Sequence, residues 1–264
     1  MASGLSRAGI LACAWILLAA SPARALPFDI SVVFGGGLTA SQQDVFLQAE
    51  AVWEGLITGY QPGIAIDAVV LNASGVAFDG VGGILGSAGP EFGTAQGGFI
   101  LATRGSMRFD TADLASLETA GFLEDVILHE MAHVLGLGTL WTWNGVYVTG
   151  SGQYTGPFGL AAYREEFNQP GATFVPVELG GGAGTANGHW NENNFGAGLT
   201  GITDPVGQDF RNELMTGWLN PPTFISQTTV QSFRDIGFTV VPEPSSASLL
   251  ALGLIWVATR RRPR

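Results

Sequence analysis

Two histidines four residues apart, in the run His129-Glu130-Met131-Ala132-His133, place the strongest constraint on how this chain folds. On a helix such residues lie one above the other on a single face. A neutral imidazole nitrogen is a good ligand for Zn²⁺ at neutral pH. His129 and His133 can therefore hold one ion from consecutive turns. Glu130 projects beside it, where it can take a proton from a metal-bound water. The chain has three histidines in all, and the third, His189, follows 56 residues after His133, beside Trp190. All three fit one zinc site, provided the chain folds back to carry His189 to the helix. A whole histidine complement spent this way points to zinc-dependent hydrolysis.

The two ends read differently from the middle. Residues 1–25 begin with Ser6 and Arg7, run apolar from Ile10 to Ala20, and close Ala23-Arg24-Ala25. A charged start, an apolar core and an A-x-A site describe a secretory signal peptide for the Sec pathway, with Leu26 as the expected mature start. Cys13, the single cysteine, lies inside that segment. Ile10-Leu11-Ala12-Cys13 loosely matches a lipoprotein signal, but the apolar run continues past it, so lipidation is not expected. The exported part is then expected to carry no disulfide and no cysteine latch on a metal. Residues 26–239, 214 in number, are enough for one good core or two modest lobes.

At the other end, Val241-Pro242-Glu243-Pro244 leads into an apolar stretch, Ala247 to Ala258, and then Arg260, Arg261, Arg262 and Arg264. A largely apolar stretch of twelve residues is short for a free-standing membrane span. The arginines would hold their end on the cytoplasmic side; a buried terminal helix with a basic tail is the alternative. The order of parts closely resembles the PEP-CTERM sorting tail of Gram-negative bacteria that make extracellular polysaccharide. For residues 240–264 the resemblance implies transient membrane association, handling by an exosortase with cleavage near the Pro-Glu-Pro, and release to the periplasm, cell surface or medium.

Between the ends, 21 Asp and Glu stand against five Arg, a balance of −16, and lysine is absent from the chain. Such a surface repels phosphate backbones, so no nucleic-acid partner is expected. The plain reading of the acidity is extracellular solubility.

Asp29 to Phe34 reads as a buried strand. Ser41 to Leu56 has helical spacing, with Ser41 and Asp44 at its start and Gly59 and Pro62 to stop it. Ile64 to Leu71, Phe99 to Thr103 and Met107 to Asp110 read as strands. The histidine helix is expected over about 121–135, with Phe122, Val126 and Ile127 on a core-facing side and Gly136 ending it. Residues 140–205 are expected to be mostly loops, and Ser226 to Ile236 a helix capped by Gly237. The expected fold class is α+β: an upper lobe with a mixed sheet and the histidine helix, an irregular lower lobe, and a cleft between.

Gly136 stands three residues after His133, the metzincin arrangement in which the chain turns sharply away from the helix. Most metzincins put the third ligand three residues after that glycine, where this chain has Thr139, a poor zinc ligand. The departure resembles the leishmanolysin family of metzincins, in which an insertion separates the glycine from a distant third histidine. His189, in Gly188-His189-Trp190-Asn191-Glu192, matches that position. Asn212-Glu213-Leu214-Met215-Thr216-Gly217-Trp218 resembles the family's Met-turn, whose methionine, here Met215, floors the zinc. Thr229 to Val240 resembles the segment that closes such domains. The likeness spans about residues 120–240; the family's eukaryotic disulfides and a sizeable pro-segment are missing.

The resemblance implies a metzincin-like, two-lobed zinc metalloendopeptidase acting on proteins or peptides. One Zn²⁺ would be held by His129, His133 and His189, and Glu130 would act as general base toward a zinc-bound water. A rival third ligand is a carboxylate, Glu165 or Glu166, on a short helix expected over Ala161 to Phe167. The segment Phe99 to Thr103 is the strand expected to pair with an extended peptide. No tyrosine follows Tyr163, so none can assist near the Met-turn. The alternative function is a catalytically inactive zinc-binding surface, matrix or adhesion protein, against which the presence of Glu130 argues.

Overall fold

The histidine helix rests on a four-stranded mixed sheet, and the order of that sheet decides what lies beside it. A computed structural model describes residues 28–192, 196 and 198–242. The expected signal peptide, with Cys13, and the expected sorting tail from Glu243 onward lie outside the described residues. The elements are β1 (Ile30–Phe34), α1 (Ala40–Leu56), β2 (Ile57–Tyr60), β3 (Val69–Val76), β4 (Gly86–Gln96), β5 (Phe99–Asp110), α2 (Leu114–Ala120), α3 (Leu123–Leu135), β6 (Gln153–Tyr154), α4 (Pro157–Glu166), β7 (Val175–Pro176), α5 (Gln227–Ser232) and β8 (Phe238–Val240). The fold is α+β, with a small mixed sheet and five α-helices among the described residues.

The sheet order is β1-β3-β5-β4, with β1, β3 and β5 parallel and β4 antiparallel to β5. Several elements depart from the sequence expectation. The strand expected over Ile64 to Leu71 starts at Val69 and runs to Val76, because Asn72 and Ser74 lie on the less buried sheet face where no apolar signal is needed. The two strands expected at Phe99 to Thr103 and Met107 to Asp110 are one strand, β5. Its interior Gly105 lets α3 close down on the sheet, since a Cβ there would lie 2.4 Å from Val134 Cγ1. Strand β4 was not expected at all: Gly86-Ser87-Ala88-Gly89-Pro90 has almost no β-branched residue. Its hairpin partner is reached through Gly97 and Gly98, both at positive φ, as a two-residue hairpin turn demands. Phe99 to Thr103 pairs with β4 on one side, β3 reaching only Arg104–Asp110 of β5, and the Asn144 side chain bonds both Ile100 N–H and Ile100 O. The edge strand of the sheet beside β5 is β4.

Helix α1 is capped by Thr39, whose hydroxyl accepts Gln42 N–H while Gln42 returns an oxygen to Thr39 N–H. This capping box replaces the start expected at Ser41 and Asp44. The helix ends at Leu56, as expected, and runs straight into β2, which pairs antiparallel with β8. The last described strand is thereby tied to the first helix. Val241 continues this tie, donating its N–H to Leu56 O at 2.9 Å.

Helix α3 is buried almost all round: of its 13 residues, ten are buried, where the periodicity promised one apolar side. It lies against β4 and β5 on one side and α1 on another, and the Trp53 indole donates to Leu128 O at 3.0 Å. An all-round apolar helix belongs in an interior.

The described residues of 140–205 are mostly loop, as expected, but together with the segment that follows they are ordered by a layer of single bridges. Val177 pairs antiparallel with Trp190, Trp190 pairs parallel with Thr216, and β6 pairs with β7 beside them. Carboxylates do what ladders do elsewhere. Asp209 accepts N–H groups from Thr200, Gly201 and Arg211. Asp235 accepts those of Phe158 and Gly159, and Glu166 those of Gln227 and Thr228. Part of the acidity read as a solubility device is therefore internal hydrogen-bond acceptance.

Candidate metal centre

His129 and His133 occupy successive turns near the C-terminal end of α3. Gly136 closes the helix at φ 114° and turns the chain away. Thr139, where a ligand is usual after such a helix, instead donates its hydroxyl to His133 O at 2.6 Å, satisfying a carbonyl at the helix end. The chain then passes directly over itself. A Cβ on Gly138 would lie 2.0 Å from Gly188 O, so only glycine allows this crossing. The crossing sets His189 beside the helix that carries the other two rings.

Trp190 holds that arrangement. It is fully buried, stacked on Trp141 with ring centroids 4.6 Å apart and edge-on to Tyr154 at 5.2 Å. Its indole N–H donates to Thr229 Oγ1 at 2.8 Å. Truncating a buried Trp costs about 3–5 kcal/mol, against about 1 kcal/mol for one hydrogen bond. The aromatic stack is thus the main anchor of the third histidine, and the hydrogen bonds set its direction.

The three ring Nε2 atoms converge. His129 to His189 and His129 to His133 are each 3.0 Å apart, and His133 to His189 is 2.9 Å. Every Nδ1 faces a backbone carbonyl: Leu214 O at 2.7 Å for His129, Leu137 O at 2.9 Å for His133, and Thr185 O at 2.8 Å for His189. A carbonyl can only accept, so each Nδ1 carries the hydrogen and each neutral ring presents a bare Nε2 lone pair. Three lone pairs facing one another with no proton to share repel. A cation among them removes that repulsion, and second carbonyl partners of this kind are what metal-bound histidines have.

Electrostatics keep the rings in that form. Burial lowers the pKa of all three: His189 falls to about 3, His133 well below its ordinary value with the neighbouring rings adding to the effect, and His129 falls too. Tetrahedral nitrogen ligands at ordinary zinc distances stand about 3.3 Å apart, close to the spacing here. The three histidines are positioned to hold a metal ion.

Glu130 is buried beside them, and burial alone pushes its carboxyl up to about 8. A divalent ion nearby favours the carboxylate again. Gly86, the first residue of β4, presses on it: a Cβ there would lie 2.9 Å from Glu130 Oε1. Sequence reasoning missed Gly86 because it missed β4.

The rival carboxylate ligands are not at the site. Glu165 is exposed, and Glu166 ends α4 (Pro157–Glu166, not Ala161 to Phe167) with its oxygens on the first turn of α5. Met215 is fully buried; its carbonyl accepts Trp190 N–H at 3.0 Å and its own N–H donates to Glu213 Oε2 at 2.6 Å. Glu213 is the residue that the sequence passed over, although it adjoins the methionine singled out there. No family model matches the chain, and no curated protein matches it.

Proposed function

We propose that this protein is a zinc metalloendopeptidase, metzincin-like in its two-lobed plan and leishmanolysin-like in its distant third histidine. His129, His133 and His189 would hold the ion, and Met215 would floor it. The observation that supports this best is the set of three bare Nε2 atoms 2.9–3.0 Å apart, each fixed from behind by a carbonyl. A fourth position left to solvent is the mark of a catalytic rather than a structural site. The ion, when bound, supplies Lewis acidity to a water and to a carbonyl oxygen.

The chain's own groups supply the rest. Glu130 accepts the proton released as water attacks and passes it to the leaving amine. Its burial keeps that proton from bulk solvent. The free edge of β4 can take an extended peptide as a further strand, and Gly86 brings that edge within contact of Glu130. A substrate strand laid there is delivered to the proton-transfer group without further machinery. Export by residues 1–25 and processing at the Pro242-Glu243-Pro244 tail belong to the same proposal.

Metal analysis of the purified protein together with a general peptidase assay tests the reading. One equivalent of zinc and chelator-sensitive hydrolysis are expected; a zinc-loaded protein that cleaves no peptide would leave the surface-protein alternative standing.

A further inference from the structure

We propose that Glu213 is a positioning residue of the metal centre, whose carboxylate fixes the backbone that orients His129 and delivers His189. The proposal rests on the reading of the three histidines as metal ligands.

Glu213 is 1% exposed. Its Oε1 accepts Ser226 N–H at 3.1 Å, the Ser226 hydroxyl at 2.8 Å and the Thr229 hydroxyl at 2.6 Å. Its Oε2 accepts Met215 N–H at 2.6 Å. From there, two routes reach the ligands. Leu214, between Glu213 and Met215, turns its carbonyl to His129 Nδ1–H at 2.7 Å. Met215 turns its carbonyl to Trp190 N–H at 3.0 Å, and Thr229 Oγ1, already bonded to Glu213, accepts the Trp190 indole N–H at 2.8 Å. One carboxylate thus spans the segment behind His129 and both polar handles of the residue after His189.

The four donors are neutral, and burial still pushes Glu213 up to about 7. A charge-capable group placed there costs stability, which an apolar core would avoid. Only a carboxylate offers accepting oxygens on both sides. A glutamine of equal shape must turn its NH₂ either toward Met215 N–H or toward Ser226 and Thr229, setting donor against donor. Either way the 213–216 segment moves.

The test compares the full chain with Glu213→Gln, Thr229→Val and Asp110→Asn. Asp110 is a buried carboxylate of the sheet half that likewise accepts several N–H groups, those of Asp79, Gly80 and Ala112, none of them on a segment that bonds a histidine. Zinc affinity is read by competition with a chromophoric chelator, at a temperature where circular dichroism shows folded protein. Ligand geometry is read from the visible spectrum of the Co²⁺-substituted protein. Glu213→Gln is expected to bind zinc about 10–100-fold more weakly with an altered cobalt spectrum, while Asp110→Asn lowers Tm and leaves both unchanged. Glu213→Gln with wild-type zinc affinity and cobalt spectrum, at any Tm, overturns the proposal. Should that variant fail to fold, Thr229→Val decides in the same way: weaker zinc binding upholds it and unchanged binding overturns it. Wild-type protein that takes up no zinc, or whose zinc survives His189→Ala, defeats the metal reading itself and is separately visible.

Discussion

Two of the histidines positioned to hold a metal come from a helix and one from a loop, and the two halves of the molecule place them by different means. In the sheet half, His129 and His133 meet because helical spacing puts them together, and packing against β4, β5 and α1 merely holds the helix still. In the loop half no repeat fixes His189. Its position follows from a glycine crossing at Gly138, an aromatic stack around Trp190, and buried carboxylates that bond main-chain N–H groups singly. Regular structure specifies a ligand pair locally, whereas an irregular segment needs many side chains, far apart in sequence, to specify one.

The comparison can be broken most sharply at the helix. Glu130→Gln should keep the metal and lose about 10²–10⁴ in peptide hydrolysis; undiminished turnover in a metal-loaded variant would remove the catalytic role given to the helix. Next comes the loop ligand. His189→Ala should reduce zinc from one equivalent to a small fraction by metal analysis, and Glu166→Ala should lower Tm yet keep about one equivalent, since both Glu166 oxygens are taken by Gln227 and Thr228 and neither is a ligand. Zinc lost with Glu166→Ala and retained with His189→Ala would move the site to the carboxylates.

Metal removal should separate the halves more gently. At zinc 100-fold above its dissociation constant, binding contributes about 2.7 kcal/mol, and hydrogen exchange should show where it acts. The amides of Trp190 and Met215 are expected to lose about 100-fold in protection on chelation, while those of β3 and β5 change little. Equal loss in both halves would mean that the loop half is not the metal-dependent part.

The smallest effect is a pH dependence of the metal-free protein. His189 has its folded pKa depressed from 6.5 to about 3, so the unfolded chain takes the proton first. Its contribution is present above about 6.5 and is lost as pH falls toward 3. Glu213 is opposite: raised from 4.5 to about 7, it contributes below 4.5 and the contribution is lost as pH rises through 7. Urea midpoints against pH should therefore flatten on the acid side in His189→Ala and toward neutrality in Glu213→Gln. Unchanged slopes in both variants would refute the assignment.

The helical ligands were legible because four-residue spacing is itself the geometry, and Gly136 marked the end. His189 was legible only because histidine is scarce here and a tryptophan follows it. Nothing local announces that Gly138 must admit Gly188. Strand β4 escaped because an edge strand with one poorly buried face needs few β-branched residues; Gly97-Gly98 was the available signal, a hairpin turn sitting before an obvious strand. Glu213 was invisible for a different reason. A buried carboxylate looks like a surface one until its four donors, at residues 215, 226 and 229, are seen around it.

The stacked pair of Trp141 and Trp190 has a consequence for observation. Two indoles with centroids 4.6 Å apart and planes 29° from each other couple their electronic transitions. Coupled chromophores of fixed, chiral arrangement give a paired positive and negative circular-dichroism signal that changes when either ring turns. One partner adjoins His189, and the other lies on the segment that crosses it. The molecule therefore carries its own optical gauge of whether the third ligand is in place, with no label and no substrate required.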